Sequence, residues 1–144
     1  MGEARATRAN LGYLLAKASQ RWNELLYEAF VREGFGDVRP AYGSVLLPLF
    51  EEDGLRMGEL ASRARLSKQT ITTLVRLTER NGLVRRERDR EDRRAYRIHL
   101  TPRARSFQPV AERALAGLDD RVAARLSTTD RTILTRSLKE VMLL

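Results

Sequence analysis

Residues 67–100 most narrow what this chain can fold into, because the apolar period there changes abruptly from three or four to two. Ser67 stands where a helix N-cap belongs, Lys68 to Asn81 has helical spacing, and Gly82 is placed to end that helix as the residue after the cap. Leu83 to Arg88 and Ala95 to Leu100 then alternate as strands, with Tyr96, Ile98 and Leu100 on one face. Between them lie Asp89, Arg90, Glu91, Asp92, Arg93 and Arg94. A wholly charged connection cannot enter a core, so a hairpin is expected that projects its tip into solvent or onto a partner. Upstream, Met57 to Ala64 reads as a short helix. Leu60, Ala61, Ala64, Leu66, Ile71 and Leu74 are spaced to let two helices joined by a tight turn pack at a steep angle, a helix-turn-helix. Arg65 occupies the turn position that often holds glycine.

Helices are expected on both sides. Leu11, Leu15, Ala18, Trp22, Leu25 and Ala29 recur at alternating steps of four and three, an amphipathic stripe widened by Leu14, Leu26 and Phe30 and ending near Gly34 to Gly36. A second helix is expected to open at Pro40 and run through Val45, Leu46, Leu49 and Phe50. Pro48 cannot donate to the carbonyl of Ser44, so a kink is expected there unless the helix starts later. Thr101 as N-cap and Pro102 in the first turn open a further helix, striped by Phe107, Ala111, Leu115, Leu118, Val122 and Leu126. Ser127 to Asp130 start another, before Ile133, Leu134, Leu138 and Val141. The 144 residues are one domain's worth, without repeats or low-complexity linkers.

Composition excludes several functions. The longest apolar run, Val45 to Phe50, contains Pro48 and falls far short of the ~20 residues a spanning helix needs, and the charged N-terminus does not read as a secretory signal. A cytoplasmic protein with no membrane partner is expected. With no cysteine, thiolate catalysis, Cys-ligated zinc and thiol-based redox sensing are excluded, and the single His99 argues against His-based catalysis. No glycine-rich phosphate loop is present, and Glu51, Glu52 and Asp53 are adjacent and so splay around a helix end. No enzyme, metal site or cofactor is therefore expected.

Charge is the remaining signal. The chain holds 27 Lys/Arg against 19 Asp/Glu, a net charge of +8. Residues 1–54 carry −2, residues 55–101 carry +7 and residues 102–144 carry +3. A charge-rich segment is ordinarily a solvated surface. Here it is threaded through a helix-turn-helix, which points to a polyanionic partner.

The run Asn81-Gly82-Leu83-Val84-Arg85-Arg86, followed by Asp89-Arg90-Glu91-Asp92-Arg93-Arg94-Ala95 and Leu100-Thr101, resembles the wing region of the multiple-antibiotic-resistance regulator (MarR) family. There an Asp-x-x-Asp-Arg-Arg pattern leads to Leu-Thr. The resemblance covers almost the whole chain, with departures at Arg90, where the family often has proline, and Ala104, where it often has glycine. It implies a mainly α fold with a small β-hairpin wing: a winged helix-turn-helix over 37–101, with recognition helix 67–81 and wing 83–100, flanked by dimerisation helices in 1–36 and 102–144.

A recognition helix presents its N-terminal residues to base edges in the major groove, here Ser67, Lys68, Gln69, Thr70 and Thr73. Gln69 suits adenine. Lys68 suits guanine or phosphate, and Arg76 suits phosphate. The resemblance implies that Arg93 enters the minor groove, flanked by Arg90 and Arg94, with Asp89 and Asp92 orienting it. Those acids could instead merely break up a basic loop. The terminal apolar stripes could complete an intramolecular core; we read them as the interface of a two-fold homodimer that spaces two recognition helices one duplex turn apart, ~34 Å, over an inverted repeat. The resemblance further implies a repressor of double-stranded DNA sites, released by a small, often aromatic acid. Tyr13, Trp22 and Tyr42 fall on segments that would line its cleft, with Arg21 available to its carboxylate. The competing reading is a non-specific architectural nucleic-acid-binding protein, for which the local +7 would suffice.

Overall fold

The computed structural model describes residues 5–144, so the first four residues of the expected segment 1–36 lie outside the described residues. The order is α1 (Leu11–Arg32), a 3₁₀ turn (Pro40–Tyr42), α2 (Gly43–Glu51), β1 (Leu55–Arg56), α3 (Met57–Ala64), α4 (Lys68–Arg80), β2 (Val84–Arg88), β3 (Tyr96–Leu100), α5 (Pro102–Ala123) and α6 (Thr128–Val141). The fold is mainly helical with a small antiparallel sheet, as the sequence predicts.

The punctuation residues act as expected. The side chain of Asn10 caps α1 by accepting from Gly12 N, and those of Ser67, Thr101 and Ser127 accept from Thr70 N, Ala104 N and Asp130 N. Gly82 closes α4 at φ 71°, where Leu83 N donates to Thr78 O at 2.9 Å. The tight turn before α4 is made by Arg65 at φ 56°.

Two elements depart from the sequence reading. The sheet has a third strand, β1, whose Leu55 pairs with Ile98 and Arg56 with Arg97, so β3 is central in the order β1-β3-β2. Two residues are too few for an alternation to register in sequence. The helix expected at Pro40 starts at Gly43 instead, after the 3₁₀ turn, and runs through Pro48 to Glu51; only the bond to the Ser44 carbonyl is forgone. Pro109 likewise lies within a continuous α5.

The core joins Leu26 and Phe30 of α1 to Val45, Leu46 and Leu49 of α2, Leu60 of α3, Ile71 and Val75 of α4, Ile98 of β3 and Phe107 of α5. Phe30 meets Phe107 edge-on, with centroids 4.9 Å apart. The α1 stripe is thus divided: its C-terminal half enters the core, whereas Leu11 and Leu14 are exposed. No residue of α6 is buried, and Ile133, Leu134, Leu138 and Met142 are 40–55% exposed.

Candidate nucleic-acid interface

The sidedness of α4 follows from its period. Ile71, Val75 and Thr78 turn inward at 0–1% exposure, and the Thr78 hydroxyl is satisfied by the carbonyls of Leu74 and Val75. Ser67, Lys68, Gln69, Thr70, Thr73, Arg76 and Arg80 are all exposed. Ser67 and Thr70 are joined by their hydroxyls at 2.9 Å, and the Thr73 hydroxyl donates to the Gln69 carbonyl. The hydroxyl hydrogens of Ser67 and Thr73 are therefore committed locally, whereas Thr70 accepts.

The wing is built around one buried carboxylate. Asp89, 1% exposed, accepts at Oδ2 from Arg56 Nε at 2.6 Å and lies 3.1 Å from Arg97 Nε, while its Oδ1 accepts the amides of Glu91 (2.8 Å) and Asp92 (3.4 Å). These contacts tie the loop to β1 and β3 together. The amide bonds, chiefly that of Glu91, together with Arg56, hold the Asp89 carboxyl below its ordinary value of 3.8 against the opposing effect of burial. Asp92 Oδ1 accepts Arg94 N at 3.1 Å, and Arg88 Nη1 donates to the Arg93 carbonyl at 3.1 Å. Both acids thus shape the loop backbone, and neither pairs with the Arg93 guanidinium. Arg56, Arg88 and Arg97 were not singled out by sequence reasoning, since their roles depend on β1 and on strand register.

A division among the basic residues follows. Arg56 and Arg97 are paired with Asp89, Arg63 with Glu52, Arg85 with Glu87 and Arg86 with Glu79. Among the described residues, Lys68, Arg76, Arg80, Arg90, Arg93 and Arg94 make no ion pair and are exposed. These six stand on the outward face of α4 and at the wing tip.

The four residues considered for a cleft are not brought together. Arg21 and Trp22 line an open groove of about 580 Å³ with Leu25, Leu118, Arg121 and Val122, though Arg21 also pairs with Glu24 at 3.1 Å. Tyr13 is exposed beneath the Lys17 ammonium, and Tyr42 is buried, its hydroxyl accepting from Asn81 Nδ2 at 3.2 Å. A separate apolar cavity beside Phe30, Leu46 and Phe107 holds only about 60 Å³, well below the several hundred that ligand pockets occupy. Among the described residues no acidic or histidine cluster suits a metal ion, and no helix is long and apolar enough to cross a membrane.

The buried carboxylate yields a prediction. Because its pKa is lowered on folding, Asp89 contributes stability that is present above its unfolded value and lost as pH falls through the folded one. Between pH 5 and 8, wing order and DNA affinity are expected not to vary through Asp89. Asp89→Asn removes that charge at every pH and is expected to speed amide exchange at residues 90–95 while helix content is unchanged. Exchange rates equal to wild type at those amides would refute its role.

Known proteins of similar sequence or fold include several transcriptional regulators. Residues 37–95 match the MarR family. The HTH-type transcriptional regulator TtmR of Methylorubrum extorquens (strain PA1) is 45% identical over 64 residues, 44% of this chain and 33% of that protein. The curated relatives are matched over between 33% and 63% of their own lengths. Among solved structures, the transcriptional repressor CouR bound to a 23-mer DNA duplex superimposes with a TM-score of 0.79 at 26% identity, covering 98% of this chain and 99% of that one. The PcaV regulator of Streptomyces coelicolor, in complex with its natural ligand, has a TM-score of 0.81 at 20% identity, with 97% of each chain covered. The helix-turn-helix and hairpin of residues 37–95 are those of the MarR family, and over that region the chain is similar to DNA-binding transcriptional regulators.

Proposed function

We propose that this chain acts in the cytoplasm as a homodimeric repressor that reads an inverted repeat, with residues 37–101 as the DNA-binding module and the flanking segments as the dimerisation region. The observation that carries the reading is the grouping of exposed, unpaired cations on α4 and at the wing tip. Arg56, Arg85, Arg86 and Arg97 are paired with carboxylates, while Lys68, Arg76, Arg90, Arg93 and Arg94 remain open on the two surfaces. Phosphate binding requires cations of this kind, and release of counterions drives it. Gln69, exposed in the first turn of α4, supplies the amide that pairs with adenine. Ser67 and Thr70 present oxygens at the helix start, and Thr73 borders them. Arg93 lies on the loop that Asp89 and Asp92 shape, and reaches the minor groove from there.

Dimerisation is supported by the uncovered apolar residues Leu11, Leu14, Ile133, Leu134, Leu138 and Met142, on the two helices at opposite ends of the chain. A two-fold pairing there buries them and sets two α4 helices on one face of the duplex. The similar CouR is a repressor bound to DNA, which supports the sign of regulation. The reading includes no enzymatic activity; the relatives are transcriptional regulators.

The effector is a small aromatic acid held in the groove of Arg21 and Trp22, with Arg121 as a second cation at its rim. PcaV, of like fold, carries a ligand. Tyr13 and Tyr42 take no part. Trp22 is the sole tryptophan, so its emission reports the site. Titration with benzoate-type acids is expected to quench it and to release bound operator at the same concentrations. Quenching without release would make the groove a binding site with no regulatory output.

The DNA assignment is tested on a selected operator by fluorescence anisotropy. Arg93→Ala is expected to weaken binding about tenfold or more, ~1.4 kcal/mol, with an unchanged circular dichroism spectrum. Gln69→Ala is expected to lose ~1 to 3 kcal/mol at particular base pairs, whereas Lys68→Ala weakens all sequences alike. A Gln69→Ala protein with the wild-type base preference would move base reading elsewhere on α4. Equal affinity for every duplex, lost steeply with salt, would favour the architectural reading.

A further inference from the structure

Both ends of α4 are tied by arginine side chains to elements outside the helix-turn-helix. At the C-terminal end, Arg103 in the first turn of α5 donates from Nη1 to the carbonyl of Asn81, the α4 cap, at 2.7 Å. The same guanidinium donates from Nη2 to both carboxylate oxygens of Asp37, at 2.8 and 2.9 Å, in the loop after α1. Asn81 Nδ2 completes the circuit by donating to the Asp37 carbonyl at 3.0 Å. The Arg103 guanidinium also lies 5.4 Å over the Phe35 ring, which packs on Phe107 of α5. Three elements thus meet at one planar group.

The other tie lies just before α4. Arg65 is the only non-glycine residue with positive φ among the described residues, at 56°. Glycine would hold that conformation without strain, so a side chain retained there is expected to do something glycine cannot. Its Nη2 donates to the carbonyl of Met142, the C-cap of α6, at 2.6 Å.

Exposed ion pairs stabilise a fold little, and the Asp37–Arg103 pair is 49% and 35% exposed. What such contacts can set is geometry. A hydrogen-bonded fork in a fixed plane allows α4 one tilt relative to α5, and the bond from Arg65 blocks the remaining pivot at its other end. We infer that Arg65 and Arg103 are positioning residues that fix the orientation of the recognition helix against α5 and α6, and so set the half-site spacing the dimer accepts. The second clause rests on the homodimeric reading above; the first does not.

The test uses the full chain as wild type, Arg103→Gln, Arg65→Gly and the double variant, with Arg113→Gln as control because that arginine pairs with Glu33, the C-cap of α1, and not with α4. Backbone residual dipolar couplings of the free protein report whether α4 and α5 share one rigid frame. Affinity is measured on a single half-site and on duplexes whose half-sites are one base pair closer or further apart than the selected spacing. In wild type and the control, one frame fits both helices and the selected spacing is favoured by about tenfold. In the double variant one frame no longer fits, and the preference falls below about threefold while single-half-site affinity stays within about twofold. Should Arg103→Gln fail to fold, Arg103→Lys keeps the charge without the two-acceptor fork and is read the same way. A folded double variant with wild-type couplings overturns the inference, as does loss of half-site affinity with α4 unmoved, which would make the two arginines DNA contacts. Loosened couplings in the variant, with no spacing preference even in wild type, would sustain the orientation role and sink the inverted-repeat reading.

Discussion

Burying Ile71, Val75 and Thr78 along one side of α4 is the constraint on which the rest depends. The helical period then leaves Lys68, Gln69, Thr73, Arg76 and Arg80 on the outward side, and no adjustment of rotamers could return them to the core. The pocket that receives the buried side is made by Val45, Leu46, Leu49 and Leu60. Replacing a large member of that cluster would open a cavity, and the exposed surface would tilt with the helix it belongs to.

The wing obeys a different constraint. A two-stranded hairpin is marginal alone, and a tip of six charged residues adds no apolar burial. Asp89 supplies what packing cannot: a buried charge is retained only when paired and hydrogen-bonded, and here two arginines and two loop amides satisfy it. The two surfaces are therefore ordered by unlike means, apolar burial under α4 and an ionic centre under the wing. Both leave their outermost cations unpaired.

Much of this was legible in the residues. Ser67, Gly82, Thr101 and Ser127 are local signals whose meaning depends on a few neighbours, and the helices they bound follow. The change of period at Gly82 announced the hairpin. What escaped was non-local. β1 is too short to show a period and exists only because Leu55 reaches Ile98. Arg56 and Arg97 read as ordinary surface charges until that pairing brings them to Asp89. The stripe from Leu11 to Ala29 looked uniform, yet only its second half meets α5 and the core, because a period identifies a face without saying what covers it. Tyr42 looked suited to a ligand cleft and is instead occupied with Asn81 at the end of α4.

In the proposed homodimer, two copies of these surfaces read one site together. Fragments of genomic DNA retained by the purified protein at near-physiological salt, once sequenced, test this most directly. The account predicts an inverted repeat with half-site centres about one helical turn, ~10 base pairs, apart. Retention of fragments without a shared motif, abolished by a modest rise in salt, would contradict it.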